Sequence, residues 1–159
     1  MKGLLCRLER QAGARLMLTW AISVCLLVCR SSNAVDAVSV RECTDAEAIE
    51  AEKSLDQLVD WTHVRNAFLR FGHCDDGAIG EGWSAAVVRL LTTKWETTAQ
   101  LARLTATDKK FFDFVVGHVD ELMSPDESHL IIANAHTKCP RSARRLCRAI
   151  EGKARKPSE

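Results

Sequence analysis

From Thr44 onward the apolar residues of this chain recur at intervals of three and four, the period of an α-helix, and no stretch alternates as a half-buried strand would. Thr44 followed by Glu47 reads as a capping box, predicting a first helix whose inward stripe is Ala48, Ala51, Leu55 and Leu58. Asp60 predicts the cap of a second helix striped by Trp61, Val64, Phe68 and Phe71, which Gly72 and His73 end. A third helix starts at Asp75 or Asp76, and Ile79, Trp83, Ala86, Val87, Leu90 and Leu91 give it the clearest core stripe in the chain. Trp95 and Leu101 to Leu104 predict a shorter helix that ends near Thr105. Asp108 caps the next, with Phe111, Phe112, Val115, Val116, Val119 and Leu122 at core spacing. Ser124-Pro125-Asp126-Glu127 is a strong helix start, and Leu130, Ile131 and Ala135 carry that helix to Lys138. After Cys139-Pro140 the positions Ala143, Leu146, Cys147 and Ile150 complete a last helix. The pattern predicts an all-α domain, a compact bundle-like or orthogonal array of six to seven short helices.

The first residues do not follow this pattern. Lys2, Arg7, Arg10 and Arg15 make a basic leader, Leu16 to Val28 is an uncharged apolar core, and Ser31 to Ala37 is small and polar, which is the layout of a cleaved export signal. A bilayer span needs about 20 apolar residues, so this core predicts cleavage rather than a stable membrane anchor. Cleavage fits after Ala34 or after Ala37, and Cys29 stands where a lipidated cysteine would, although Val28 replaces the small residue such a site wants. The expected organisation is a signal peptide at 1–34, one helical domain at 35–152 and a polar tail at 153–159.

Export changes the meaning of the cysteines. Cys6, Cys25 and Cys29 leave with the signal, and the mature chain keeps Cys43, Cys74, Cys139 and Cys147, an even set that predicts two disulfides. Cys139 and Cys147 read as flanking a short helix begun by Pro140, and eight residues of helix rise about 12 Å, too far to bridge. That argument favours pairings of Cys43 and Cys74 with the C-terminal two.

Charge is uneven along the mature chain. Residues 35–159 hold 17 Lys and Arg against 20 Asp and Glu, a formal net charge of −3, yet Lys138 to Lys156 holds eight basic residues and one acid, Glu151. An acidic body with a basic C-terminal element is either a docking surface for an anionic partner or a solvated helix face. Nucleic acid is not an expected partner of an exported chain.

The unusual chemistry lies between Phe71 and Trp83, a stretch with His73, Cys74, Asp75, Asp76, Glu81, four glycines and two large aromatics. Imidazole and carboxylates could hold zinc or iron there, but no His-Glu-x-x-His or Cys-x-x-Cys spacing is present and no metal or other cofactor is expected. Acid–base catalysis could draw on the same carboxylates, although helix capping already accounts for an Asp at a helix start. Gly82-Trp83-Ser84-Ala85-Ala86 lacks both the preceding strand and the closing glycine of a nucleophile elbow, which leaves Ser84 as an expected helix-surface residue. Gly77, Gly80 and Gly82 each cost a helix about 1 kcal/mol relative to Ala, so their presence predicts the close approach of another backbone or of a partner.

The run His73-Cys74-Asp75-Asp76-Gly77-Ala78-Ile79, with Glu81-Gly82-Trp83-Ser84, Val88-Arg89-Leu90-Leu91, Cys139-Pro140 and Cys147, resembles a group of small exported helical proteins of proteobacteria without an assigned activity. The resemblance implies a periplasmic helical protein and no catalytic residue. The expected function is therefore that of a periplasmic or secreted, non-enzymatic binding protein of the bacterial envelope, of inhibitor or immunity type, acting on an envelope protein or a small ligand. The expected binding surface is His73, Asp75, Asp76, Glu81 and Trp83. The alternative is a small periplasmic hydrolase or metal-binding protein using His73, Asp75, Asp76 and Glu81.

Overall fold

The computed structural model describes residues 41–120 and 122–155, so the expected signal peptide with Cys6, Cys25 and Cys29, and the end of the tail, lie outside the described residues. Within them the chain forms seven α-helices and no strand: α1 Asp45–Ser54, α2 Trp61–Phe71, α3 Gly77–Thr93, α4 Thr98–Thr105, α5 Lys109–Gly117, α6 Pro125–Thr137 and α7 Arg144–Ala154. No described helix is long and apolar enough to cross a membrane.

The helix starts follow from local chemistry. The first amides of a helix have no partner within it, and an oxygen side chain just before them supplies one. Thr44 and Glu47 close a capping box on α1, and Ser124 and Glu127 close another on α6, with Pro125 at the first helical position. Asp60 accepts from the amides of Thr62 and His63, Asp76 from that of Gly77, and Asp108 from that of Phe111.

Helix α3 is the centre of the packing. Its buried residues are Trp83, Ser84, Ala86, Val87, Val88, Leu90 and Leu91, which lie around most of its circumference rather than on one stripe. It meets α1 on one side and α6 on another, while α6 and α7 run back along each other, with the Ser128 hydroxyl donating to the Ala154 carbonyl at 2.7 Å. From α3, Arg89 donates to the Leu58 carbonyl, and just beyond it Lys94 donates to that of Val59; together they tie down the α1–α2 connection. Two of the buried indoles are also pinned: Trp61 Nε1 donates to Thr97 Oγ1 at 2.8 Å and Trp95 Nε1 to the Lys138 carbonyl at 3.1 Å. Phe114 lies at the middle of an aromatic cluster, 4.7 Å from Phe68 and edge-on to Trp83 at 5.0 Å between centroids.

The two disulfides form, but in another pairing than the rise argument favours: Cys43 joins Cys74, and Cys139 joins Cys147. The reason is that no continuous helix separates the last two. Pro140 is extended, a single 3-10 turn follows at Arg141–Ala143, and α7 begins only at Arg144, so the chain doubles back and leaves the two Cα atoms 6.2 Å apart.

Three further expectations need correcting. At Gly82 it is a side chain and not another backbone that comes close: a Cβ there would fall 2.3 Å from Cδ1 of Leu55, just past the end of α1. Leu122 and Leu130, expected in the core, are 59% and 44% exposed. Helix α5 stops at Gly117, before the stripe reaches Leu122, and α6 turns Ile131 inward instead of Leu130. Ser84, expected on a helix surface, is 2% exposed, because a helix enclosed on several sides buries more than one stripe.

Candidate functional site

The residues of the 71–83 stretch go to different partners. His73 Nε2 faces Glu47 Oε1 at 3.3 Å, which joins the end of α2 to the start of α1. Asp76 is spent on capping α3. Trp83 is fully buried against Phe114 and belongs to the core; its Nε1 has no hydrogen-bond partner among the described residues. Glu81 is exposed and lines a cleft. Asp75 enters a more buried polar network, and its partners there lie outside the predicted set.

That network is built around His118. The inward stripe of α5 runs through Phe111 and Phe114 and ends at His118, which caps the helix and packs edge-on to the Phe114 ring at 4.3 Å. The imidazole is thereby fixed by packing and bonded at both nitrogens: Nε2 lies 3.2 Å from Asp75 Oδ2, and Nδ1 lies 2.9 Å from Ser84 Oγ. The Ser84 hydroxyl also reaches Asp120 Oδ2 at 2.5 Å. Asp75 can reach back over the first turn of α3 because position 80 is glycine; a Cβ there would sit 3.2 Å from Asp75 Oδ1. The Cys43–Cys74 disulfide holds the residue next to Asp75 in place.

The proton count of this network is informative. The Ser84 hydroxyl has one proton and two acceptors in reach. When it donates to Asp120, Nδ1 of His118 must be the donor to Oγ; when it donates to Nδ1, the ring proton sits on Nε2 and points at Asp75. The serine oxygen thus stands between a carboxylate and an imidazole whose far nitrogen is oriented by a second carboxylate.

Ser84 borders a cleft of about 490 Å³ between α3 and α6, lined also by Ala78, Glu81, Gly82, Val88, Leu122 and Glu127. Its wall is small and apolar along α3, carboxylates stand at Glu81 and Glu127, and the exposed Leu122 stands on the α5–α6 connection. Glu127 is partly committed, since its Oε2 accepts from the Ser124 amide and hydroxyl.

Elsewhere, Thr44 holds the Glu47 carboxyl far below its ordinary value, at about 2, through its amide N–H first and its hydroxyl second, with His73 and Arg41 adding to the effect. In the turn before α7 and on α7 itself, Arg141, Arg144, Arg145 and Arg148 are exposed, and Arg145 lies over the Phe112 ring at 4.7 Å. Among the described residues no group of three or more His, Cys, Asp or Glu side chains is arranged to hold a metal ion.

Sequence reasoning missed Ser84, His118 and Asp120. One sign of His118 was available: it follows Phe111 and Phe114 at spacings of three and four, the period of that helix's inward face. No family model, curated protein or solved structure matches this chain.

Proposed function

We propose that this chain is an exported binding protein of the bacterial envelope that docks a partner protein at the α3–α6 cleft, as an inhibitor or immunity factor does. The observation that carries this reading is Leu122, 59% exposed beside a ready-made cleft on a scaffold stapled by two disulfides. Burying a leucine side chain is worth about 1.5–3 kcal/mol, so Leu122 is an anchor that a partner gains by covering. Glu81 and Glu127 on the same cleft favour a partner that brings basic residues to its rim. Two disulfides suit an oxidising compartment outside the cytoplasm.

Affinity capture from an envelope extract tests this, with the native chain set beside a Glu81→Lys, Leu122→Asp variant. Both substitutions are on exposed side chains, so the variant should fold. One protein retained at equal stoichiometry by the native chain and lost by the variant is the expected result. Capture of nothing by either form, or of the same protein by both, would sink the cleft as the docking site.

A further inference from the structure

We propose that Ser84 is an acyl-accepting nucleophile, with His118 as its general base and Asp75 as the group that orients His118. This goes beyond docking at the cleft, although it uses the same opening.

Three observations carry it. Ser84 Oγ and His118 Nδ1 are 2.9 Å apart, inside the range for direct proton transfer. The other imidazole nitrogen is held by Asp75 at 3.2 Å, and the ring is backed by Phe114. That gives nucleophile, base and orienter in one line, the arrangement that defines a serine triad by geometry and role rather than by fold. Finally, Ser84, 2% exposed, is among the residues that border the cleft, which makes the cleft the side from which a substrate carbonyl would approach.

The reaction balances without any further reagent. In the tautomer with its proton on Nε2, His118 takes the Ser84 proton at Nδ1 as Oγ bonds to the carbonyl carbon of an ester. The protonated imidazole then gives that proton to the departing alcohol oxygen as the C–O bond breaks, leaving an acyl group on Ser84. Water, activated by the same nitrogen, cleaves the acyl-serine and releases a carboxylic acid. Asp120 accepts the hydroxyl proton at rest, 2.5 Å from Oγ, and rotation about the Cβ–Oγ bond redirects it to His118. Small residues Ala78, Gly82 and Ala85 along the α3 wall leave room for a short acyl chain, and Glu81 and Glu127 suit a substrate whose alcohol portion carries positive charge.

The test is to incubate the intact chain, purified from cells that export it, with a fluorophosphonate probe and to locate any adduct by peptide mass spectrometry. The expected result is an adduct on Ser84, absent in Ser84→Ala, with the labelling rate falling about 10²-fold or more in His118→Gln. Asp75→Asn should lower the labelling rate, and capture of the docking partner is read independently on the native chain and the Glu81→Lys, Leu122→Asp variant, which keeps this proposal separate from the binding one. A native chain that stays unlabelled at Ser84 overturns the proposal, whatever the variants do. So does an adduct on another residue, or labelling of Ser84 at an unchanged rate in a folded His118→Gln chain. In each case the four side chains are a buried polar staple that fixes the end of α5 to α3.

Discussion

The three glycines at the start of α3 make a test in which one substitution has three different outcomes. Replacing a helical glycine by alanine favours folding by roughly 1 kcal/mol through propensity alone. At Gly80 most of that gain is kept, because the only crowded atom is Oδ1 at the far end of the Asp75 side chain, the oxygen not bonded to His118, which needs to give by a few tenths of an ångström. At Gly77 there is open space, but φ is +50°, and a left-handed conformation costs an ordinary residue roughly 1–2 kcal/mol, more than offsetting the gain. At Gly82 the new Cβ would meet Leu55 at Cδ1, Cδ2 and Cγ, at 2.3, 3.0 and 3.1 Å, so the whole side chain must move. Overpacking of that kind costs typically 1–3 kcal/mol. The expected order of stability is therefore Gly80→Ala at or above native, Gly77→Ala lower by up to about 1 kcal/mol, and Gly82→Ala lower by up to about 2 kcal/mol.

Urea unfolding followed by far-ultraviolet circular dichroism reads all three. The mechanism at Gly82 has its own control: combined with Leu55→Ala, the glycine substitution should cost nothing or stabilise, giving a coupling energy of about 1 kcal/mol or more in a double-mutant cycle. Additive effects at positions 55 and 82 would refute the assignment of Leu55 as the group that requires Gly82. A strongly destabilised Gly80→Ala would refute the expectation that the Asp75 carboxylate can give way there at little cost.

Two other expectations concern the ends of the packing. Because the folded Glu47 carboxyl titrates at about 2 against its ordinary 4.5, its contribution is complete above 4.5 and is lost as pH falls from there toward 2. Asp60, lowered chiefly by the His63 amide, and Glu151, lowered chiefly by Arg155, act with the same sign. Urea midpoints measured across that window should fall with acid in the native chain and fall less steeply in Glu47→Gln; identical slopes would contradict the Thr44–Glu47 cap as the cause. Phe114→Ala should cost about 3–5 kcal/mol, since it removes the ring that Phe68, Trp83 and His118 all touch. A loss under 1 kcal/mol by thermal unfolding would mean that the cluster does not hold these helices together.

What could be read from the sequence was what is local. A cap and the amides it satisfies lie within three residues of each other, so Thr44, Asp60, Asp108 and Ser124 marked the starts of α1, α2, α5 and α6 in advance, and that of α3 was narrowed to Asp75 or Asp76, of which Asp76 is the cap. Stripes gave Trp61, Val64, Trp83, Val87, Leu91, Phe111, Val115 and Ile150 as core, and all are buried. What failed was any inference that assumed one buried face per helix or a straight path between two cysteines. Ser84 stands beside Trp83 on a helix enclosed from several sides, so its polarity did not mark it as exposed. The partners of the polar network are remote in the chain, with Asp75 and His118 separated by 43 residues, and nothing local encodes such a contact.

The pairing of the disulfides decides whether that network is held from outside. Cys43–Cys74 fixes the residue preceding Asp75, whereas Cys139–Cys147 closes a turn between α6 and α7 and touches none of the four network residues. In the chain-entropy model, loops of 31 and 8 residues are worth about 3.7 and about 2.5 kcal/mol, so removing either bridge destabilises the fold by a comparable amount. Their effects on His118 should nevertheless differ. Nuclear magnetic resonance of the imidazole ring should show its signals displaced in Cys43→Ala, Cys74→Ala and nearly unchanged in Cys139→Ala, Cys147→Ala, each measured where the variant is folded. Equal displacement in both would mean that the ring responds to stability alone, and no displacement in the first would mean that Asp75 is positioned without the staple. Peptide mapping under non-reducing conditions supplies the premise: a peptide linking Cys74 to Cys139 or Cys147 would remove the basis of the comparison. A disulfide that only cross-links two helices limits the unfolded chain; one that also sets the carboxylate behind a buried histidine shapes the site of the folded one.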